Sequence, residues 1–100
     1  MHAHDANFTG AYLTRATLRD ADLTAAYLTR TFVGHADLTG ADLSGAYMTG
    51  AYLADADLTG TILFSAYLGK ATLTGANIAT AVLAGADLTD ATMPDGTTAD

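Results

Sequence analysis

A large apolar residue returns at every fifth position of this 100-residue chain, and that interval excludes most ways of folding it. Stepping by five from Phe8 gives Leu13, Leu18, Leu23, Leu28, Val33, Leu38, Leu43, Met48, Leu53, Leu58, Leu63, Leu68, Leu73, Ile78, Leu83, Leu88 and Met93 without an insertion. Two residues before each centre stands alanine, replaced only by Thr31 and Thr61. On an α-helix each centre would be turned by roughly 140° from the last, which spreads the leucines round the whole circumference. On a continuous strand the side-chain period is two, so an odd repeat sends alternate leucines to opposite faces. A one-sided core results if each unit is a short extended piece followed by a corner. Alanine and leucine then point inward, the residue between them points outward, and the last two residues turn the chain. Such a path winds into a parallel β-helix whose hydrogen bonds run between coils.

The number of units per coil is legible in the outward residues, because stacked neighbours tend to match in chemistry. These run Asn7, Tyr12, Thr17, Asp22, Tyr27, Phe32, Asp37, Asp42, Tyr47, Tyr52, Asp57, Ile62, Tyr67, Thr72, Asn77, Val82, Asp87, Thr92. At a lag of five residues 3 of 17 pairs are alike, at ten 1 of 16, at fifteen 6 of 15 and at twenty 9 of 14. Twenty wins, so one coil holds four units and the cross-section is roughly square.

The units ADLTG at 36–40 and 56–60, ADLSG at 41–45 and GANIA around Ile78 resemble the pentapeptide repeat family, whose pattern is Ala, Asp or Asn, Leu, then two variable residues. The resemblance implies an all-β fold, a right-handed quadrilateral parallel β-helix of about 4.5 coils of 20 residues. This chain departs from the pattern at the second position, where Tyr, Phe, Ile, Val and Thr often replace Asp or Asn. Residues 1–5 form a degenerate first repeat and 6–95 the β-helix. Pro94, which cannot donate to a further coil, and the turn dipeptide Asp95-Gly96 act as a stop. Residues 96–100 are expected to be a loose tail.

Sorted by twenties, the outward residues make four faces, two aromatic and two acidic. The candidate interaction surface is Tyr12, Tyr27, Phe32, Tyr47, Tyr52 and Tyr67 with Arg30, since clustered Tyr and Arg are the usual composition of interface hot spots. The competing reading is that aromatics one coil apart simply stack and stiffen the rod. A candidate acidic face carries Asp22, Asp37, Asp42 and Asp57. Some members of the family imitate duplex DNA and occupy the DNA-binding saddle of gyrase, so the resemblance brings a topoisomerase-binding alternative, although Ile62 and Val82 interrupt the acidic run.

Composition narrows the remaining choices. The formal charge of −7 with only four Lys and Arg argues against direct nucleic-acid binding. No stretch approaches the ~18 apolar residues of a membrane span. The start MHAHDANF has no basic segment or hydrophobic run, and cysteine is absent, which fits a cytoplasmic protein. Glu, Gln, Cys and Trp are missing, and the one acid–base pair in a common turn column is His35 with Asp55, with neither nucleophile nor pocket implied. His2 and His4 make an incomplete metal-ligand set at a terminus. No enzyme, cofactor or metal site is therefore expected. The expected role is a scaffold or protein-interaction module. Because a β-helix without caps leaves unpaired backbone groups at its ends, a homodimer stacked end-on through a terminal coil is also expected.

Overall fold

The computed structural model describes residues 2–99. Met1 and Asp100, the outermost members of the expected first repeat and tail, lie outside the described residues. Each outward residue pairs in parallel with the one twenty positions later, from His2 with Asp22 to Thr72 with Thr92. A coil therefore holds four units, and the result is a right-handed quadrilateral β-helix. The extents are 33 × 24 × 20 Å.

The extended part of each unit is only three residues long, and three backbone hydrogen bonds tie it to the next coil. Leu43 N donates to Ile62 O at 2.7 Å, Ile62 N to Ala41 O at 2.9 Å, and Gly45 N to Phe64 O at 2.9 Å. A fourth bond closes the corner within the coil, as where Ala46 N donates to Leu43 O at 3.0 Å. This four-residue turn needs a positive φ at its third residue, as in type II turns. The fifth residue of each unit from Asp5 to Asp90 supplies it, with φ between 55° and 71°, except at Thr80. A branched Cβ fits the left-handed region poorly. At that corner Gly60 N donates to Thr80 Oγ1 at 3.0 Å, whereas the equivalent N–H groups of Gly40 and Gly45 reach the backbone carbonyls of Thr59 and Phe64.

The interior is a stack of alanine and leucine rungs. From Leu18 to Leu73 every centre is buried, while Phe8, Leu13, Ile78, Leu83, Leu88 and Met93 in the end coils are half-buried. Each fully buried Leu contributes roughly 1.5–3 kcal/mol. The small alanines let the walls of the square approach one another. The two threonines in the alanine column are fully buried, yet Thr31 Oγ1 donates to Phe8 O and Thr61 Oγ1 to Leu38 O, each at 2.7 Å. Burial of those hydroxyls is thus offset by a hydrogen bond.

The tail is a correction to the sequence reading: it is folded back. After the turn at Asp95-Gly96 the chain reverses, and Thr98 pairs antiparallel with Thr92. Met93 N donates to Thr97 O at 2.7 Å and Ala99 N to Ala91 O at 2.8 Å. A hairpin of this kind covers part of the terminal edge that would otherwise expose backbone groups. The available signal was the Asp-Gly turn followed by two β-branched threonines.

Candidate interaction surface

The four faces seen in the structure are those the twenty-residue lag implies. Face one carries Asn7, Tyr27, Tyr47, Tyr67 and Asp87, and face two carries Tyr12, Phe32, Tyr52, Thr72 and Thr92. Face three carries Thr17, Asp37, Asp57 and Asn77, and face four His2, Asp22, Asp42, Ile62 and Val82.

The aromatic side chains point outward and stack along the rod. Tyr27 and Tyr47 lie with ring centroids 4.8 Å apart and planes within 7°, and Tyr47 and Tyr67 at 5.0 Å and 1°. On face two Tyr12 stacks on Phe32 at 4.9 Å, whereas Tyr52 is tilted by 49° at 6.5 Å. Tyr52 leans over Gly34, where an added Cβ would stand 3.4 Å from its ring. Stacking hides ring faces but leaves edges and hydroxyls in solvent. Tyr12, at the bottom of its column, is 81% exposed.

The positive charges follow the aromatics. Arg19 is paired with Asp37 at 3.1 Å, but among the described residues Arg15, Arg30 and Lys70 form no ion pair. Arg30 and Lys70 sit at the corner that follows face one, and the stem of Arg30 lies across Gly50, whose Cβ would be 3.2 Å from it. Arg15 shares the next corner with His35 and Asp55, which approach to 3.5 Å in solvent.

The aspartates behave differently. In every unit with Asp or Asn at the second position, Oδ1 accepts the backbone N–H two residues on: Asn7 from Thr9, Asp22 from Thr24, Asp37 from Thr39, Asp42 from Ser44, Asp57 from Thr59, Asn77 from Ala79 and Asp87 from Thr89. This Asx-turn prepares the corner that follows. In Asp22 and Asp87 the threonine hydroxyl also donates to the same oxygen, at 2.7 and 2.6 Å. Hydrogen bonds from Thr24, Thr39, Thr89 and Thr97 hold the carboxyls of Asp22, Asp37, Asp87 and Asp95 below the ordinary aspartate range. The candidate acidic face is therefore two short pairs, Asp22 over Asp42 and Asp37 over Asp57, each with one oxygen committed to its own corner.

Sequence reasoning overlooked Phe64. It occupies a fourth position, where small or polar residues otherwise predominate, and is 53% exposed at the corner that follows Ile62 of face four. His4 is engaged, its Nδ1 2.7 Å from Thr24 Oγ1 and its Nε2 3.0 Å from Asp5. Among the described residues no group of three or more metal-ligating side chains occurs, there is no cavity, and no helix is long and apolar enough to cross a membrane.

A closed, four-sided parallel solenoid with Leu and Ala rungs and Asx-capped corners defines a class, the right-handed quadrilateral β-helices. The sequence pattern places this one more narrowly. Residues 4–40, 33–63 and 62–95 match the family described as pentapeptide repeats, in eight copies, and the chain belongs to that family. It is similar to the pentapeptide repeat protein Rfr23 from the cyanobacterium Cyanothece 51142, with 29% identity, a TM-score of 0.88, and 95% of this chain and 65% of that one covered. HetL from Nostoc sp. strain PCC 7120, a pentapeptide repeat protein involved in heterocyst differentiation regulation, matches at 30% identity and a TM-score of 0.61, over 98% of this chain and 60% of HetL. For alr5209, also a pentapeptide repeat protein from Nostoc PCC 7120, the figures are 36%, 0.50, 80% and 62%. This chain thus spans somewhat under two thirds of the length of these structures. No curated protein matches significantly.

Proposed function

We propose that this chain is a non-enzymatic, cytoplasmic protein-interaction module that presents faces one and two to a protein partner. The observation that carries this reading is the coincidence of stacked, outward tyrosines with Arg30 and Lys70 at one corner, neither in an ion pair among the described residues. Pre-stacked rings lose little side-chain freedom on docking, and their edges and hydroxyls offer apolar area and hydrogen bonds together. Nothing in the comparisons favours the topoisomerase-binding alternative, and the acidic pairs, two rungs high, are a poor copy of an extended phosphate field. The His35–Asp55 pair, exposed at 47% and 55%, is in keeping with a weak surface contact.

The module pairs end-on with a second copy. Support comes from backbone groups that a second copy would satisfy: among the described residues Tyr12 N, Thr17 N, Ile78 N and Leu83 N donate no hydrogen bond. Light scattering over a range of concentrations tests the pairing, with a constant monomer mass counting against it. For the partner surface, a protein retained from an extract of the source organism is lost when Tyr27, Tyr47 and Tyr67 are replaced by Thr with the fold intact. Equal loss with Asp37→Asn and Asp57→Asn would refute the assignment to faces one and two.

A further inference from the structure

We propose that Tyr27, Tyr47 and Tyr67 form an oxidative coupling site, at which a one-electron oxidant joins neighbouring tyrosines by a carbon–carbon bond and so staples adjacent coils. The three phenols are held in line at 4.8 and 5.0 Å with planes within 7°. Their backbones are locked in register: Tyr47 N donates to Ala26 O at 2.9 Å and Leu28 N to Tyr47 O at 2.7 Å on one side, and Tyr67 N to Ala46 O at 2.9 Å and Met48 N to Tyr67 O at 2.7 Å on the other. Each residue is between 37% and 47% exposed, so an oxidant reaches the hydroxyls and water takes the protons.

The chemistry balances as follows. Each of two phenols gives one electron to the oxidant and one proton to water, leaving two phenoxyl radicals on neighbouring coils. An ortho carbon of one ring bonds to an ortho carbon of the other. The hydrogen on each of those carbons then moves to the phenol oxygen, restoring two hydroxyls on a dityrosine. Two electrons and two protons leave in all. Holding two radicals side by side replaces a bimolecular encounter with an intramolecular one, which is where the advantage over free tyrosine lies.

The same geometry excludes the other two tyrosines. Tyr12 stacks on Phe32, which has no hydroxyl, and Tyr52 leans over Gly34 beside that same phenylalanine. Tyr47 is the shared member, because Tyr27 and Tyr67 are separated by the whole of its ring.

The test uses a ruthenium polypyridyl complex with persulfate as photo-oxidant, on dilute protein, with dityrosine fluorescence, intact mass and tryptic mapping as readouts. The expected result is a monomer-mass product lacking two hydrogens, with peptide Asp20–Arg30 joined to Thr31–Lys70 or a bond between Tyr47 and Tyr67 inside the latter. Its thermal midpoint is raised, since the bond closes a loop through one coil. Tyr47→Phe, which keeps the ring and the stack, abolishes intramolecular dityrosine, and Tyr27→Phe leaves only the bond between Tyr47 and Tyr67. Persistence of the signal in Tyr47→Phe, bonds mapped to Tyr12 or Tyr52, or no intramolecular product under conditions that couple free tyrosine would each overturn the proposal.

Discussion

Two substitutions one coil apart in the same corner column have opposite expected effects. Ala25 is an L-residue held at φ 56°, and Gly45 directly above it stands at φ 67°. A side chain in the left-handed region costs about 1–2 kcal/mol, because Cβ crowds the following carbonyl. Glycine avoids that cost but loses about 0.5–1 kcal/mol more backbone entropy on folding. Ala25→Gly should therefore stabilise the rod, and Gly45→Ala destabilise it, by about 1 kcal/mol each. An added Cβ at Gly45 meets nothing within 4 Å, so packing does not blur the comparison. At Gly40, by contrast, a Cβ would collide with the Asp20 carboxylate. That carboxylate is the free end of an exposed side chain and can turn aside, so Gly40→Ala should cost about as much as Gly45→Ala. Equilibrium unfolding followed by circular dichroism measures all of these, with about 4–8 °C of thermal shift per kcal/mol for a domain of this size. If Ala25→Gly and Gly45→Ala move stability in the same direction, backbone strain is not what governs the fifth position.

Other consequences follow from single contacts. Leu58→Ala in a central coil should cost about 2–5 kcal/mol and Leu58→Asp should abolish the folded signal, whereas Tyr47→Thr should leave it intact, all by denaturant titration. Thr80→Gly should restore the left-handed corner and let Gly60 N bond a backbone carbonyl, raising stability; a fall would show that the threonine hydroxyl is the better acceptor. The carboxyls of Asp22, Asp37, Asp87 and Asp95 are depressed in the folded state by hydrogen bonds from their threonines. Their contribution is therefore present above the unfolded aspartate value and lost as pH falls below about 4. An acid unfolding midpoint that does not rise when Thr24 and Thr89 are replaced by Ala would contradict this.

The fold was legible because its determinants repeat. One large apolar residue could sit in any core, but eighteen in a single register leave one geometry, and the matching of Tyr27 with Tyr47 and of Ile62 with Val82 carries the coil length. The corners were harder to read. Glycine marks some of them, yet Arg15, Asp20, Ala25, Arg30 and His35 adopt the same left-handed conformation without announcing it. The coil-to-coil bonds around them outweigh a local penalty of about 1–2 kcal/mol. The pairing of the tail with Thr92 escaped notice because an antiparallel return obeys no five-residue rule. Phe64 did too, since it lies between the inward and outward columns on which the reading rested. The surface roles are less legible still, because an outward tyrosine looks the same whether it stacks, docks a partner or does both.

The second position of the unit resolves into two physical solutions, and they explain why the faces sort as they do. An Asp or Asn there is satisfied within its own coil, through the N–H two residues on, and needs nothing from the coils above and below. It therefore tolerates any neighbour, even another carboxylate one coil away, as in Asp22 over Asp42. A Tyr or Phe cannot make that bond and gains mainly from a like neighbour twenty residues on, worth about 0.5–1.5 kcal/mol per stacked pair beyond its buried area. Aromatics are then favoured in columns, while an aspartate stands equally well in a pair or alone, as Asp87 does next to Tyr67. A column of rings is thus what stacking alone would produce, and the ladder of face one is by itself no proof of a partner. What stacking does not account for is the placement of Arg30 and Lys70 beside that ladder, where neither forms an ion pair among the described residues even though Asp90 shares the corner one coil above Lys70. That placement carries the functional proposal, so Arg30→Ala and Lys70→Ala, which leave every ring in place, separate an interaction surface from a stiffened wall more cleanly than any change of tyrosine.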